Sequence, residues 1–292
     1  MKNMFLKIAL VIYLVATQIS LYAQKDKEPV LEIAHFSDIH IRTEYNANER
    51  FVKTVQHLKK NFPQVDFVIN TGDAIDNPNR SSQHLDSLWN LWDKVEAAIA
   101  PLELYSCIGN HDPFLRIQDK DSAYYGKNYT VKQLGIPARY YSFRKANWLF
   151  IALDGNNPDG IDTAQKEWLC NLLEENKSQS NVLLFLHEPI VSPGAAYDGG
   201  YLNNWTSMVD TLANYKEVKC VLSGHTHIYD EAFLKGVHYY NGGAVSGYWW
   251  EKGPKGDGSY RGSKPGYGIL RLYKNGDSEY SFIQTQESNA AE

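Results

Sequence analysis

The chain has 292 residues, 43% of them hydrophobic and 22% charged, so it holds enough apolar material for a sizeable core and disorder is excluded as its dominant state. Its 29 Lys and Arg against 34 Asp and Glu give a net charge of −5 with no basic tract, which excludes nonspecific polyanion binding and any stable nucleic-acid complex of that kind. Three cysteines, at 107, 170 and 220, are too few and odd in number for a disulfide scaffold.

In chain order, the first 23 residues combine Lys2 and Lys7 with the apolar run Ile8 to Ala16 and end in Leu21-Tyr22-Ala23 before Gln24. This is the layout of a secretory signal peptide cleaved after Ala23. A membrane anchor is the alternative, but a span needs roughly 20 apolar residues and Thr17 and Gln18 interrupt this run. The expectation is an exported protein, periplasmic or extracellular, with no membrane anchor after cleavage and residues 24–292 as a single domain. Strand Val30 to Phe36, helix Asn46 to Asn61, strand Asp66 to Asn70 and helix Ser81 to Ala100 follow, the last with Leu85, Leu88, Trp89, Trp92 and Val95 on one face. Strand Leu102 to Ile108, a hairpin of Tyr140 to Phe143 with Trp148 to Leu153, and helix Thr163 to Asn176 behind Asp162 continue the alternation. Strand Val182 to Leu186, a helix near Asn203 to Tyr215 and strand Val218 to Leu222 complete a layered α/β pattern with buried central strands. Beyond it, Ala232 to Leu234, Val237 to Asn241, Gly268 to Tyr273 and Ser278 to Gln284 read as strands between Gly and Asn-Gly turns, so residues 230 to 285 predict a second, more antiparallel sheet. Cys107 and Cys220 sit in apolar runs as core thiols, able to bridge only if their strands are neighbours.

The residues just past each strand carry the chemistry. The five runs lead into Asp38-Ile39-His40, Gly72-Asp73-Ala74-Ile75-Asp76, Gly109-Asn110-His111-Asp112, His187-Glu188-Pro189 and Gly224-His225-Thr226-His227. Strand C-termini are where sites assemble in open α/β sheets, and five of the nine histidines fall in these segments. Carboxylate, carboxamide and imidazole donors without thiolate suit Mn, Fe or Zn. Residues two apart on an extended segment point the same way, which predicts that Asp38 and His40, and His225 with His227, face one cavity. Gly72, Gly109 and Gly224 let the backbone turn and approach an ion closely. Singly, each string is a weak signal with an ordinary explanation in a loop, an N-cap or a hydrogen-bonded core histidine; in this order, each at a strand end, the set is specific.

The set resembles the signature of the calcineurin-like metallophosphoesterases over residues 30 to about 245. The resemblance implies a four-layer α/β/β/α sandwich with two mixed β-sheets flanked by helices and two divalent or trivalent metal ions between the sheets. By the same resemblance, Asp38, His40, Asp73 and His227 hold one ion, and Asp73, Asn110, His187 and His225 the other. His40 and Asp76 depart from the purple acid phosphatase branch, which carries glycine and tyrosine at those places. Small bacterial-type phosphodiesterases and phosphatases are the remaining likeness.

The mechanism expected from this is attack on phosphorus by a metal-bridging hydroxide. His111, which the family places beside the metals without ligating them, protonates the leaving alkoxide, and Asp112 orients it. The substrate is a small phosphoester, a diester or pyrophosphate ahead of a monoester, because few further cations can be placed to receive a dianion. A secreted phosphomonoesterase, or a non-catalytic binding protein on the same fold, are the alternatives. Tyr248, Trp249 and Trp250 either stack a nucleobase or apolar leaving group or cover the second sheet as core; Arg42 either meets a phosphate oxygen or sits on the surface.

Overall fold

The computed structural model describes residues 28–76, 81–246 and 261–285; the expected signal segment 1–23 and Tyr248, Trp249 and Trp250 lie outside them. Strand β1 (Leu31–Phe36) pairs in parallel with β2 (Phe67–Asn70), and β2 with β3 (Glu103–Ser106). Helices α1 (Ala47–Asn61) and α2 (Ser82–Glu96) make the crossovers. Ser81 caps α2 by accepting the His84 N–H at 3.1 Å, satisfying one of the orphan donors of the first turn. The predicted apolar face of α2, Leu85, Leu88, Trp89, Trp92 and Val95, is buried with Phe51, Val55 and Leu58 of α1. Burial of side chains this size stabilises by roughly 1.5–3 kcal/mol each. The Phe36 ring of β1 meets Phe51 edge-on at 5.8 Å, which puts this helical layer on the first sheet.

The segment after β3 carries the short helix α3 (Asn128–Gln133) and then the antiparallel hairpin β4 (Tyr141–Lys145) and β5 (Trp148–Ala152). Helix α4 (Thr163–Glu175), capped by Asp162 onto the Gln165 N–H at 2.9 Å, leads to β6 (Asn181–Phe185). Helices α5 (Pro193–Asp198) and α6 (Trp205–Leu212) precede β7 (Val218–Ser223). Strands β8 (Tyr229–Leu234), β9 (Val237–Gly242), β10 (Gly266–Leu272) and β11 (Ser278–Gln284) follow among the described residues.

Two mixed sheets result, in the order β11-β10-β1-β2-β3 and β4-β5-β6-β7-β9-β8. Period-2 alternation assigns the faces: Val182, Leu184 and Leu186 pack with Leu169 and Leu173 of α4 and Met208 and Leu212 of α6, while Leu183 and Phe185 face the first sheet. Between the sheets, Phe67 meets Phe150 edge-on at 5.4 Å. Helices, sheet, sheet and helices form the expected four layers.

The C-terminal strands correct the sequence reading. They do not build a sheet of their own but divide, β8 and β9 extending the second sheet and β10 and β11 the first. β9 also runs parallel to β7, whereas β10 is antiparallel to β1 with Ile33 opposite Leu270. Cys107 and Cys220 are buried free thiols in different sheets, so their strands are not neighbours and the conditional bridge does not form. Among the described residues no helix is long and apolar enough to cross a membrane.

Candidate metal centre

The ends of β1, β2 and β3 in one sheet and of β6 and β7 in the other bring Asp38, His40, Asp73, Asn110, His187, His225 and His227 together. All of them except Asn110, His225 and His227 are fully or almost fully buried. β1 stops at Phe36 and β7 at Ser223, before the pairs Asp38 with His40 and His225 with His227, so strand alternation is not what aims them. Asp38, His40, Asp73, His225 and His227 all have left-handed backbone, with φ between 50° and 71°. Side chains two apart turn into one cavity because the same unusual conformation is repeated. Such residues cost of order 1–3 kcal/mol each and persist only where neighbours over-determine them. Here the loops are laced together: the Asp38 N–H donates to the Gly72 carbonyl at 3.1 Å, His40 N–H to Asp73 at 2.9 Å, and Gly224 N–H to His187 at 3.0 Å.

The donor atoms fall into two groups sharing one oxygen. In the first, His227 Nε2 lies 3.2 Å from Asp38 Oδ1 and 3.1 Å from His40 Nε2. In the second, Asn110 Oδ1 lies 2.9 Å from His187 Nε2 and 2.8 Å from His225 Nδ1. Asp73 Oδ2 stands between them, 3.6 Å from His40 Nε2 and 3.2 Å from His187 Nε2, while its Oδ1 accepts the His111 N–H at 2.7 Å. Edges of about 3 Å are what ligands at about 2.1 Å from a common ion make. His187 supplies the test of fit. Its Nδ1 lies 2.8 Å from the Thr71 carbonyl, which can only accept, so Nδ1 is a donor and Nε2 is the nitrogen turned into the cluster; burial opposes its imidazolium, but Asp73 and Asp38 raise its pKa, so without a metal Nε2 holds a proton whose place a cation would take. Buried carboxylates facing imidazoles that hold protons on their behalf are what a site made for cations shows when none is bound, and the donor set fits one.

Electrostatics point the same way. Burial opposes the charged forms of Asp38 and Asp73, yet the facing histidines hold both carboxyls below their ordinary range. Burial also opposes the His40 imidazolium, but Asp38, Asp76 and Asp73 carry it up to about 10. His225 is pushed down to about 4, by burial first and His187 second, and is a neutral lone-pair donor. The buried carboxylates demand compensating positive charge, which bound cations would provide.

Asp112 is the clearest correction. It is fully buried and accepts backbone N–H groups from Gly109 at 2.8 Å, Asp73 at 3.1 Å and Ile75 at 3.3 Å; burial and then Asp73 push its carboxyl up to about 6. It staples the β2 and β3 loops and does not orient His111. The carboxylate facing His111 is Asp76, whose Oδ1 is 3.0 Å from His111 Nδ1. Asp76 also pairs with Arg42 and lies 3.7 Å from His40 Nδ1. Asp76 was visible as the second carboxylate of Gly72-Asp73-x-x-Asp76, but only folding reveals its partner. Arg42 is not a plain surface group: its Nη1 bonds Asp76, its Nε bonds Glu44, and the guanidinium lies over the Tyr45 ring at 5.1 Å. Supporting groups with no sequence signal are Ser37, which donates to Asp38 Oδ2 at 2.5 Å, and Ser246, which donates to the Asp38 carbonyl at 2.7 Å. Asn156 holds the Gly109 carbonyl at 3.3 Å.

Of the three glycines, Gly72 has positive φ, whereas Gly224 serves close approach: a Cβ there would lie 1.7 Å from Ser37 Oγ and 2.6 Å from Asp38 Oδ2. Gly224→Ala must displace Asp38, and outer contacts of this kind change metal affinity by about 10–100-fold. Titration of the apo-protein with manganese checks this; unchanged affinity contradicts the packing.

Residues 31–229 match the family model described as calcineurin-like phosphoesterase. The chain is 25% identical over 262 residues to a 3',5'-cyclic-nucleotide phosphodiesterase of a Nostoc species, covering 86% of this chain and 91% of that one. It is 27% identical over 203 residues to a manganese-dependent ADP-ribose/CDP-alcohol diphosphatase of Arabidopsis thaliana, covering 55% of this chain and 64% of that one. In fold it is similar to a dimetal phosphatase from Danio rerio, with a TM-score of 0.66 at 17% identity over 88% of this chain and 98% of that one.

Proposed function

The chain belongs to the calcineurin-like phosphoesterase family of metal-dependent phosphoester hydrolases, and from that premise we propose that it cleaves the phosphodiester or pyrophosphate bond of small molecules at a two-metal centre. The observation that carries this is the position of Asp73 Oδ2 between the two donor groups, 3.6 Å from His40 Nε2 in one and 3.2 Å from His187 Nε2 in the other. Asp38, His40 and His227 would hold one ion with Asp73, and Asn110, His187 and His225 the other. The ions, when bound, supply an acidified water and positive charge opposite the phosphoryl oxygens.

The protein's own part is proton delivery and alignment. Asp76, its charge stabilised by Arg42, accepts the His111 Nδ1–H and turns Nε2 outward as general acid for the leaving oxygen. Arg42 is engaged by Asp76 and Glu44, which leaves it poorly placed to receive the second charge of a monoester. A diester or pyrophosphate substrate fits that arrangement, and two relatives named for a cyclic nucleotide and for ADP-ribose or CDP-alcohols support it. Manganese is the ion to load first, since the plant relative depends on it. Metal-loaded protein is expected to turn over bis(p-nitrophenyl) phosphate faster than p-nitrophenyl phosphate. The reverse order would make it a phosphomonoesterase, and silence on both after confirmed loading would make it a binding protein. We propose export directed by residues 1–23; N-terminal sequencing of the native protein should begin at Gln24.

A further inference from the structure

We propose that the pocket where β8 meets β11 is the subsite for the organic part of the substrate, seating a nucleoside on Tyr229 and Phe282 with its phosphate chain running past Arg261 and Lys264 to the metal centre. This deepens the hydrolase reading and rests on it. The pocket measures about 310 Å³, at the lower end of small-molecule sites and the size for one ring and its sugar.

Its position follows from the topology. Among the described residues β8 and β11 are edge strands of the two sheets, and the stacking of Tyr229 on Phe282 puts these edges on the same side. Tyr229 at the start of β8 is opposite Gly242 at the end of β9, and Gln284 at the end of β11 is opposite Gly266 at the start of β10. Each pair lies at the edge where the parallel strands release the metal ligands. The connection is also covalent and short. Tyr229 is two residues beyond His227. Gly243 packs on the pocket's inner side, with a Cβ there 3.1 Å from the Phe282 ring, and three residues later Ser246 bonds the Asp38 carbonyl. On the other wall Arg261 pairs with Asp198 at 2.9 Å, and two residues beyond Asp198 the backbone of Gly200 lies against the His225 imidazole.

The lining selects a ligand class. Tyr229 and Phe282 are parallel, 8° apart with centroids at 4.8 Å, and Tyr280 and Tyr240 continue the stack inward at 12° and 4.8 Å. A rigid stack of this kind is extended by another planar ring at small entropic cost. Ser263 receives the Tyr229 N–H at 3.3 Å, and Lys264 and Arg261, the latter paired with Asp198, bring positive charge into the lining that favours an anion beside the rings. Ring face and cations together distinguish a nucleotide from a sugar phosphate, which lacks the ring, and from a nucleoside, which lacks the anion.

The test is equilibrium binding to the manganese-loaded full chain, with AMP, ribose 5-phosphate and adenosine as probes. AMP is expected to bind at least about tenfold more tightly than ribose 5-phosphate, and Phe282→Leu to collapse that ratio toward one while metal content is retained. Lys264→Gln should weaken AMP and ribose 5-phosphate but not adenosine. Equal binding of AMP and ribose 5-phosphate overturns the subsite, as does a Phe282→Leu protein that keeps the ratio. If Phe282→Leu fails to fold, unchanged AMP binding by Lys264→Gln overturns it instead. Turnover of bis(p-nitrophenyl) phosphate by the unaltered protein separates the two readings. An active protein without discrimination loses only the subsite, whereas an inactive one that discriminates loses only the hydrolase assignment.

Discussion

Asp73→Ala should abolish metal binding in both halves of the centre and lower kcat/KM by roughly 10³-fold or more, the loss expected when several kcal/mol of charge stabilisation disappears. One carboxylate oxygen faces His40 at 3.6 Å and His187 at 3.2 Å, so neither donor group is complete without it. Its other oxygen holds the His111 N–H, so the substitution also loosens the loop bearing Asn110. His227→Ala is the control, because it removes a donor that lies 3.2 Å from Asp38 Oδ1 and 3.1 Å from His40 Nε2, and it should empty that half while sparing the other. Elemental analysis of dialysed protein reads both. Full occupancy of either half in Asp73→Ala would end the bridging assignment.

His111→Asn should keep its metal and lose roughly 10²- to 10⁴-fold in turnover of alkyl esters, with a smaller loss on p-nitrophenyl esters, whose leaving group departs without a proton. Asp76→Asn should follow it in the same direction, and because Asp76 also approaches His40 at 3.7 Å it should weaken metal binding as well. Asp112→Asn should behave differently. Three backbone N–H groups converge on that carboxylate, so the substitution leaves buried donors poorly satisfied and costs about 1–3 kcal/mol of stability. Denaturant midpoints combined with a series of leaving groups separate the cases. A leaving-group dependence that steepens in Asp112→Asn and not in Asp76→Asn would return the orienting role to Asp112.

Much of this architecture was legible before folding because it is written locally. The apolar face of α2 repeats at helical spacing, Asp162 announces α4, and the run Val182 to Leu186 is apolar throughout because both faces of a central strand are covered. The candidate ligands were legible for a related reason: each comes directly after a buried strand, and imidazole, carboxylate and carboxamide groups gathered at successive strand ends share one chemistry. The order of those motifs along the chain made them specific, although none was informative alone.

The rest depended on contacts between residues distant in sequence, which no local pattern encodes. Period-2 alternation says that β10 has two faces but not that it lies against β1, with Ile33 opposite Leu270; that choice is made by competition among all available edges. The left-handed backbone at Asp38, His40, Asp73, His225 and His227 is unfavourable in isolation and is held by hydrogen bonds between loops, so the sequence reading explained the right orientation by the wrong geometry. Asp112 is next to His111 in the chain, yet adjacent side chains on a tight turn diverge, and Asp76 from another strand end occupies the place beside the imidazole. Sequence by itself determined which groups could do chemistry and on which elements they ride. Tertiary structure alone decided which carboxylate serves which histidine, because hydrogen bonds and charge act over ångströms in space whatever the separation along the chain.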